Sequence, residues 1–355
     1  VLHDPVTRTP AGAPQQHPAA LELPTPYLLF LGDVTEAGYA KTAFGLRDWA
    51  PEKCVGELAL PEATVTTGLP AMSPREAAER GARSLVIGIA NAGGVTSPAW
   101  LPALLEALDA GLDIVAGMHT RLADEPSLRD KAERLGRRLI DIRTPPAGIT
   151  VATGRKRSGK RLLTVGTDCA LGKKYSALAI ARGFRERGID NDFRATGQTG
   201  IMIAGSGIPI DTVVADFAAG AAEMLSPDAP ETHWDVIEGQ GSLFHPAYAG
   251  VSLALLHGSQ PDVIIVCHDA ARSCILGHPS YALPWLEETI LLNLQLGART
   301  NPAIRCGGVT INTSALSEAE AAALLDREAD RLGLPVADPI RGGARFERLL
   351  DRSLG

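Results

Sequence analysis

Basic charge and aromatic rings are both scarce in this 355-residue chain: 34 Lys and Arg stand against 41 Asp and Glu, and Phe, Trp and Tyr make 5% of the residues. Binding a phosphate backbone needs a surplus of cations, and binding single strands needs stacking platforms. A net charge of −7 therefore argues against nucleic acid and anionic lipid as partners and leaves a small molecule as the expected one. Cysteine is scarce too. Cys54, Cys169, Cys267, Cys274 and Cys306 are odd in number and never spaced C-x-x-C, which excludes a disulfide framework and a thiolate zinc site and fits a reducing cytoplasm. No apolar run approaches the ~20 residues of a membrane-spanning helix, and the opening V-L-H-D-P lacks the regions of a secretory signal. Neither H-E-x-x-H nor G-x-S-x-G occurs, so zinc hydrolysis and nucleophile-elbow chemistry have no support and no metal site is expected.

What is present is ordinary globular composition, 45% hydrophobic and 21% charged, over a length that suggests two domains. Pro5, Pro10, Pro14, Pro18 and Pro24 punctuate residues 1–25 with little apolar periodicity, which predicts an extended arm with no core. Buried-strand runs then recur at Tyr27–Asp33, Ser84–Ala90, Asp113–His119 and Arg138–Arg143. Helical stretches separate them, the clearest being Pro98–Ala110, capped by Ser97 and stopped at Gly111. Strands alternating with helices imply an α/β fold, here a Rossmann-like parallel sheet over 26–150. The basic segment Gly154–Arg161 reads as a solvated linker into a second βα series over 151–355. Its apolar runs, Arg161–Asp168, His233–Gly239, Pro261–Asp269 and Gly307–Thr313, each end in a glycine or polar cluster. Open parallel sheets bind ligands at the carboxyl ends of their strands, so these clusters are expected to converge on one crevice.

The strongest local signal is L-L-T-V-G-T-D-C-A-L-G-K-K-Y. A strand runs into Gly166, and a glycine-anchored turn through Thr167, Asp168, Cys169, Ala170, Leu171 and Gly172 leads to Lys173, Lys174 and Tyr175 at the start of a helix. Glycines let backbone N–H groups turn inward, the helix dipole adds positive potential, and a lysine neutralises phosphate. Ala177, Ile180, Ala181 and Phe184 give the helix an apolar stripe, and Gly188 marks its end. Two departures matter: five residues separate Gly166 from Gly172, one more than the standard spacing, and Lys174 replaces the Ser or Thr that holds Mg²⁺. An ammonium cannot ligate a metal, so phosphate binding without Mg²⁺ is favoured over ATP hydrolysis. The plainer reading is a glycine turn that packs a helix on a strand.

Gly166–Lys173 resembles the phosphate loop of dethiobiotin synthetase, which has the same long form; D-V-I-E-G-Q-G (Asp235–Gly241) resembles that family's acidic strand end, and G-G-V-T-I-N (Gly307–Asn312) is similar to its base-recognition strand. A second resemblance covers almost the whole chain. Gly32-Asp33 with Ala40-Lys41-Thr42, the loop G-T-D-C-A-L-G-K-K-Y, G-Q-T-G (Gly197–Gly200), E-G-Q-G (Glu238–Gly241) and C-H-D-A-A-R (Cys267–Arg272) are similar to a two-domain family, Rossmann-like then P-loop-like. It was long a domain of unknown function, and its best understood members are D-glutamate N-acetyltransferases. The resemblance implies an acetyl-coenzyme A dependent N-acetyltransferase acting on D-glutamate or a close D-amino acid, by direct transfer to the amine. Its cofactor phosphates would lie on Gly166–Tyr175.

Chemistry is then assigned to the strand ends. Glu238 precedes Gly239, Gln240 and Gly241 and is the first choice for general base, the alternatives being an ion pair with Lys173 or a buttress of the loop. Asp168 is the second choice, with Lys173 or loop amides facing the oxyanion. For a dicarboxylate, Arg272 is the natural bidentate clamp, and His268 is a base or a hydrogen-bonded structural residue. Gln198 and Thr199, between two glycines, read as a mobile polar loop or a simple turn, and Asp216 ranks below Glu238. Lys41 opens a helix as either a ligand contact or a solvated charge, and Asn91–Val95 would allow close backbone approach. Cys169, in the loop near the two lysines, is expected to have a lowered pKa and would contradict direct transfer if acylated. Two other readings stay open: an ATP- and Mg²⁺-dependent ligase or kinase of dethiobiotin-synthetase type, and a non-catalytic nucleotide or metabolite sensor. A homo-oligomer is the expected assembly.

Overall fold

The computed structural model describes residues 23–89 and 94–355. Strands β1 (Tyr27–Gly32), β2 (Cys54–Ala59), β3 (Ser84–Ile87), β4 (Asp113–Ala116) and β5 (Leu139–Asp141) form a parallel sheet in the order β2-β1-β3-β4-β5. A second parallel sheet takes β6 (Lys160–Gly166), β7 (Asn191–Arg194), β8 (Trp234–Ile237) and β9 (Val263–Asp269). A small antiparallel hairpin, β10 (Cys274–Ile275) with β11 (His278–Ala282), leaves the end of β9. The sheet is completed by β12 (Arg305–Asn312) and β13 (Val336–Ala337), giving the order β13-β12-β9-β6-β8-β7.

Both sheets are doubly wound. In each, the chain leaves the first strand to one side and later returns to the other, which opens a crevice at the carboxyl ends: beside β1 in one sheet and beside β6 in the other. The continuous apolar runs are explained by burial on both faces. Leu28 and Phe30 of β1 pack in a cluster with Trp100, Leu104 and Leu108, while Tyr27, Leu29 and Leu31 point the other way. The β9 strand divides likewise, Val263 and Ile265 to one core and Ile264 and Val266 to another.

The second face of the first sheet shares its core with the second domain. Tyr27, Leu29, Ala43 and Leu46 pack in one cluster with Leu178, Ala195, Ile201, Met202 and Ile203. Hydrogen bonds stitch the same surface: Thr42 Oγ1 lies 3.0 Å from Thr199 Oγ1, and the Lys53 ammonium donates to the Ile203 carbonyl at 2.6 Å. The ends of the two sheets are therefore held against each other by an apolar seam, not by a flexible linker.

Several expectations are corrected. Leu23 and Pro24, assigned to a coreless arm, are buried, Leu23 in the shared core; residues 1–22 of that arm, Ala90 at the end of the run Ser84–Ala90, and Asn91–Gly93 of the segment Asn91–Val95 lie outside the described residues. Most of Gly154–Arg161 is exposed as expected, but Arg157, Gly159 and Arg161 are buried. Arg161 is fully buried, donating to Ser226 Oγ at 2.7 Å and to the carbonyls of Arg157, Ser158, Gly159 and Pro227. Pro98–Ala110 divides into a 3₁₀ turn at Pro98–Trp100 and an α-helix over Leu101–Asp109, with Ser97 Oγ accepting from Ala99 N. Among the described residues no helix is long and apolar enough to cross a membrane.

Candidate active site

A cleft of about 570 Å³ opens where the two sheets meet, and the carboxyl ends of strands from both sheets line it. The first domain contributes Lys41, at the start of the Lys41–Trp49 helix, and Arg143, just beyond β5. From the second come Cys169–Tyr175 after β6, Gly197–Thr199 after β7, Glu238–Gly241 after β8, and Asn312 at the end of β12. At Gly117 the Gln198 side chain lies directly against the end of the first sheet: a Cβ there would fall 1.7 Å from Gln198 Oε1 and would force that side chain to turn away.

The phosphate loop is built as its sequence predicts and is closed on itself. Gly172, at φ 101°, turns the chain into the Lys173–Glu186 helix, whose first residues line the cleft. Ala170 also adopts a positive φ, 53°. The Lys173 ammonium is buried and donates to the Asp168 carbonyl at 2.7 Å, bridging the loop, and burial lowers its pKa. Lys174 makes no hydrogen bond or ion pair among the described residues and lies over the Tyr175 ring, 4.7 Å from its centroid. Burial pulls its pKa down to about 8, against the opposing pull of Glu238.

Glu238 is buried at the cleft floor, where Oε2 accepts from Thr196 N at 2.9 Å and Gly197 N at 3.0 Å. Burial raises its pKa, with Lys174 and the two amides opposing. The strand end can hold this carboxylate because Gly239 passes so close to Thr164 that its N–H donates to Thr164 Oγ1 at 2.9 Å.

Other predicted residues lie elsewhere. Gly166, Thr167 and Asp168 sit beneath the cleft rather than on its wall. Both Asp168 oxygens are occupied: Oδ1 accepts from Cys169 N, and Oδ2 from Leu276 N and Arg272 Nη1 at 2.7 and 2.9 Å. Burial alone would raise the Asp168 pKa, but the two amides and the guanidinium hold it below its ordinary range. It braces the loop against the hairpin. Arg272, expected as a substrate clamp, is instead committed to that loop, since Nη1 also donates to the Cys169 carbonyl at 2.6 Å. His268 faces away from the cleft, its Nδ1 3.0 Å from Thr167 Oγ1, and lines a separate apolar hollow with Trp285 and Leu286. Asp216 is exposed and outside the cleft. Cys169 does line it, but burial and the Asp168 charge push its thiol up to about 11, so the expected lowered pKa is overturned.

The sequence reading passed over Arg143, Asp211, Gln240 and Asn312 on the cleft wall, and His245 behind the loop. Arg143 had a signal: it closes the run Arg138–Arg143, at the end of a strand where ligands bind. His245 accepts from Ala247 N at Nδ1 and brings a buried, unpartnered Nε2 to 4.0 Å from Asp168 Oδ1.

Comparison with known proteins agrees with this geometry. Residues 150–350 match a domain of unknown function described as the DUF1611 C-terminal P-loop domain, and residues 53–145 match its N-terminal Rossmann-like domain. The chain belongs to the DUF1611 family. Two relatives, from Tritonibacter scottomollicae and a Pseudoalteromonas species, are each described as a D-glutamate N-acetyltransferase. They are 50% identical over 327 residues and 48% identical over 323, covering 92% and 91% of this chain and 98% and 97% of theirs. A crystal structure of a DUF1611 family protein from Anabaena variabilis, 33% identical, superposes with a TM-score of 0.83 over 93% of this chain and 99% of that one. The DUF1611 pairing of a Rossmann-like and a P-loop domain is thus the pairing whose sheet ends form the cleft.

Proposed function

We propose that this member of the DUF1611 family is an N-acetyltransferase that uses acetyl-coenzyme A to acetylate D-glutamate or a close D-amino acid. The similarity of the two relatives over nearly their full lengths supports the substrate, and one structural observation carries the site. A phosphate loop without a metal-ligating hydroxyl presents the unpaired Lys174 ammonium and the first turn of a helix to the same cleft as a buried carboxylate. An anionic, Mg²⁺-independent cofactor fits those groups.

Acetyl-coenzyme A, when bound, supplies the thioester whose acyl carbon the amine attacks and whose thiol departs. The protein's part is to bind, orient and move a proton. Lys174 and the loop amides hold phosphate. Glu238 accepts the proton that the amine loses, and its raised pKa makes it a stronger base than an exposed carboxylate. Loop amides, Lys173 and Gln240, all on the cleft wall, would supply donors for the oxygen on which negative charge develops. Cys169, protonated at neutral pH, takes no acyl group.

The test is thiol release from acetyl-coenzyme A by the full chain with D-glutamate, beside L-glutamate and beside ATP with Mg²⁺. Release that requires the D-isomer is expected, with Glu238→Gln lowering kcat ~100-fold or more. ATP turnover with no thiol release would overturn the transferase reading in favour of a ligase or kinase.

A further inference from the structure

The acceptor proposed above needs cations for two carboxylates, and those of the second domain are largely committed. Arg272 serves the loop carbonyls and Asp168, Lys173 bridges the loop, and Lys174 stands at the phosphate end. Two further cations line the cleft, Lys41 and Arg143, and both come from the first domain.

Arg143 is held in an unusual way. Its Nη2 donates to Asp211 Oδ2 at 2.7 Å across the domain junction, and the side chain is 15% exposed. Its Nε is buried with no partner, and Nη1 makes no hydrogen bond among the described residues. A buried guanidinium N–H without an acceptor is destabilising, and among the described residues no protein oxygen accepts from Nε. Asp211 fixes the plane of the fork and leaves its remaining donors at the cleft. Two parallel N–H bonds to a carboxylate come from Nη2 together with Nε or Nη1, and Nη2 keeps a second N–H beyond the one given to Asp211.

We infer that Arg143 is the residue that recognises a carboxylate of the amino-acid acceptor, with Asp211 as its positioning partner. The inference rests on the proposed function for the identity of the acceptor, and on Arg143 itself for the chemistry. It divides the labour between the domains: the P-loop sheet holds the phosphates and the base, and the Rossmann-like sheet holds the acid groups of the acceptor through Arg143 and Lys41.

Calorimetry on the full chain tests this without turnover. D-glutamate and glutarate, a dicarboxylate with no amine, are titrated into the wild type, R143K and R143Q, and coenzyme A is titrated in parallel. R143Q should weaken both dicarboxylates ~30-fold and R143K ~10-fold, since lysine keeps the charge and the Asp211 pair but loses the fork, while coenzyme A affinity stays within ~2-fold. Dicarboxylate binding that is absent from the wild type, or unchanged in R143Q, would overturn the assignment. So would an equal loss of coenzyme A, which would mark Arg143 as a strut between the domains. Failure of the wild type to acetylate D-glutamate would instead count against the proposed activity, since the binding assay reports on Arg143 whether or not transfer occurs.

Discussion

Lys174 is the residue at which this phosphate loop departs most from the standard one, and its ionisation gives that departure a measurable consequence. Burial lowers its pKa to about 8, and nearby Lys41 adds to the effect while Glu238 opposes it. The ammonium is therefore charged below about pH 8 and loses its charge as the pH rises through that value. Phosphate attracts only the charged form. Coenzyme A affinity is accordingly expected to fall ~10-fold between pH 7 and pH 9, beyond the change that the ligand's own groups produce. Fluorescence titration of wild type and Lys174→Met across that range checks it. The variant should bind more weakly at pH 7 and show a flat profile; an equally steep profile in the variant would assign the dependence to another group. Arg272 illustrates the limit of reading residues singly. A guanidinium beside a buried strand end was matched to a ligand because two of its acceptors besides Asp168, the carbonyls of Cys169 and Ala170, leave no mark in the sequence.

At the scale of the element, close approach of strands decides where the site's side chains stand. A Cβ on Gly239 would lie 1.6 Å from the Thr164 carbonyl oxygen, so Gly239→Ala must push β8 away from β6 and carry Glu238 with it. A loss of about 3 kcal/mol is expected, with a fall in kcat that persists at temperatures where the variant is folded. Gly250→Ala is the control, because nothing lies within 4 Å of its Cβ on the Ala249–Ser259 helix, and it should be neutral or stabilising by up to ~1 kcal/mol. Thermal melts of the pair decide it; equal melting temperatures would show that the sheet yields at Thr164. The strands that are long and buried on both faces, β1, β6, β9 and β12, were legible as apolar runs. Those passed over are short or at an edge. The β7 strand is N-D-F-R, β13 is two residues, and β2 carries Gly56 and a buried Glu57 whose carboxylate accepts from Thr67 N at 2.7 Å. A charge satisfied by a neighbouring turn has no periodicity to betray it.

Across the whole molecule, the cleft exists because two doubly wound sheets meet end to end, and that meeting could not be read from either half. The phosphate loop, Glu238, Gln198, Thr199 and Lys41 were found one strand end at a time, whereas the pairing of Arg143 with Asp211 exists only when the domains are placed together. The seam that places them is apolar. Met202 and Ile201 are fully buried in the same cluster as Tyr27, Leu29 and Leu46 of the first domain, so opening the cleft would expose that surface to water. The two domains are therefore expected to unfold together. Met202→Ala should cost about 3 kcal/mol and lower the protection of β1 and β6 amides against hydrogen exchange by the same factor, although Met202 belongs to neither strand. Protection lost in β6 alone would show instead that the first sheet stands independently, and that the cleft can open along its seam.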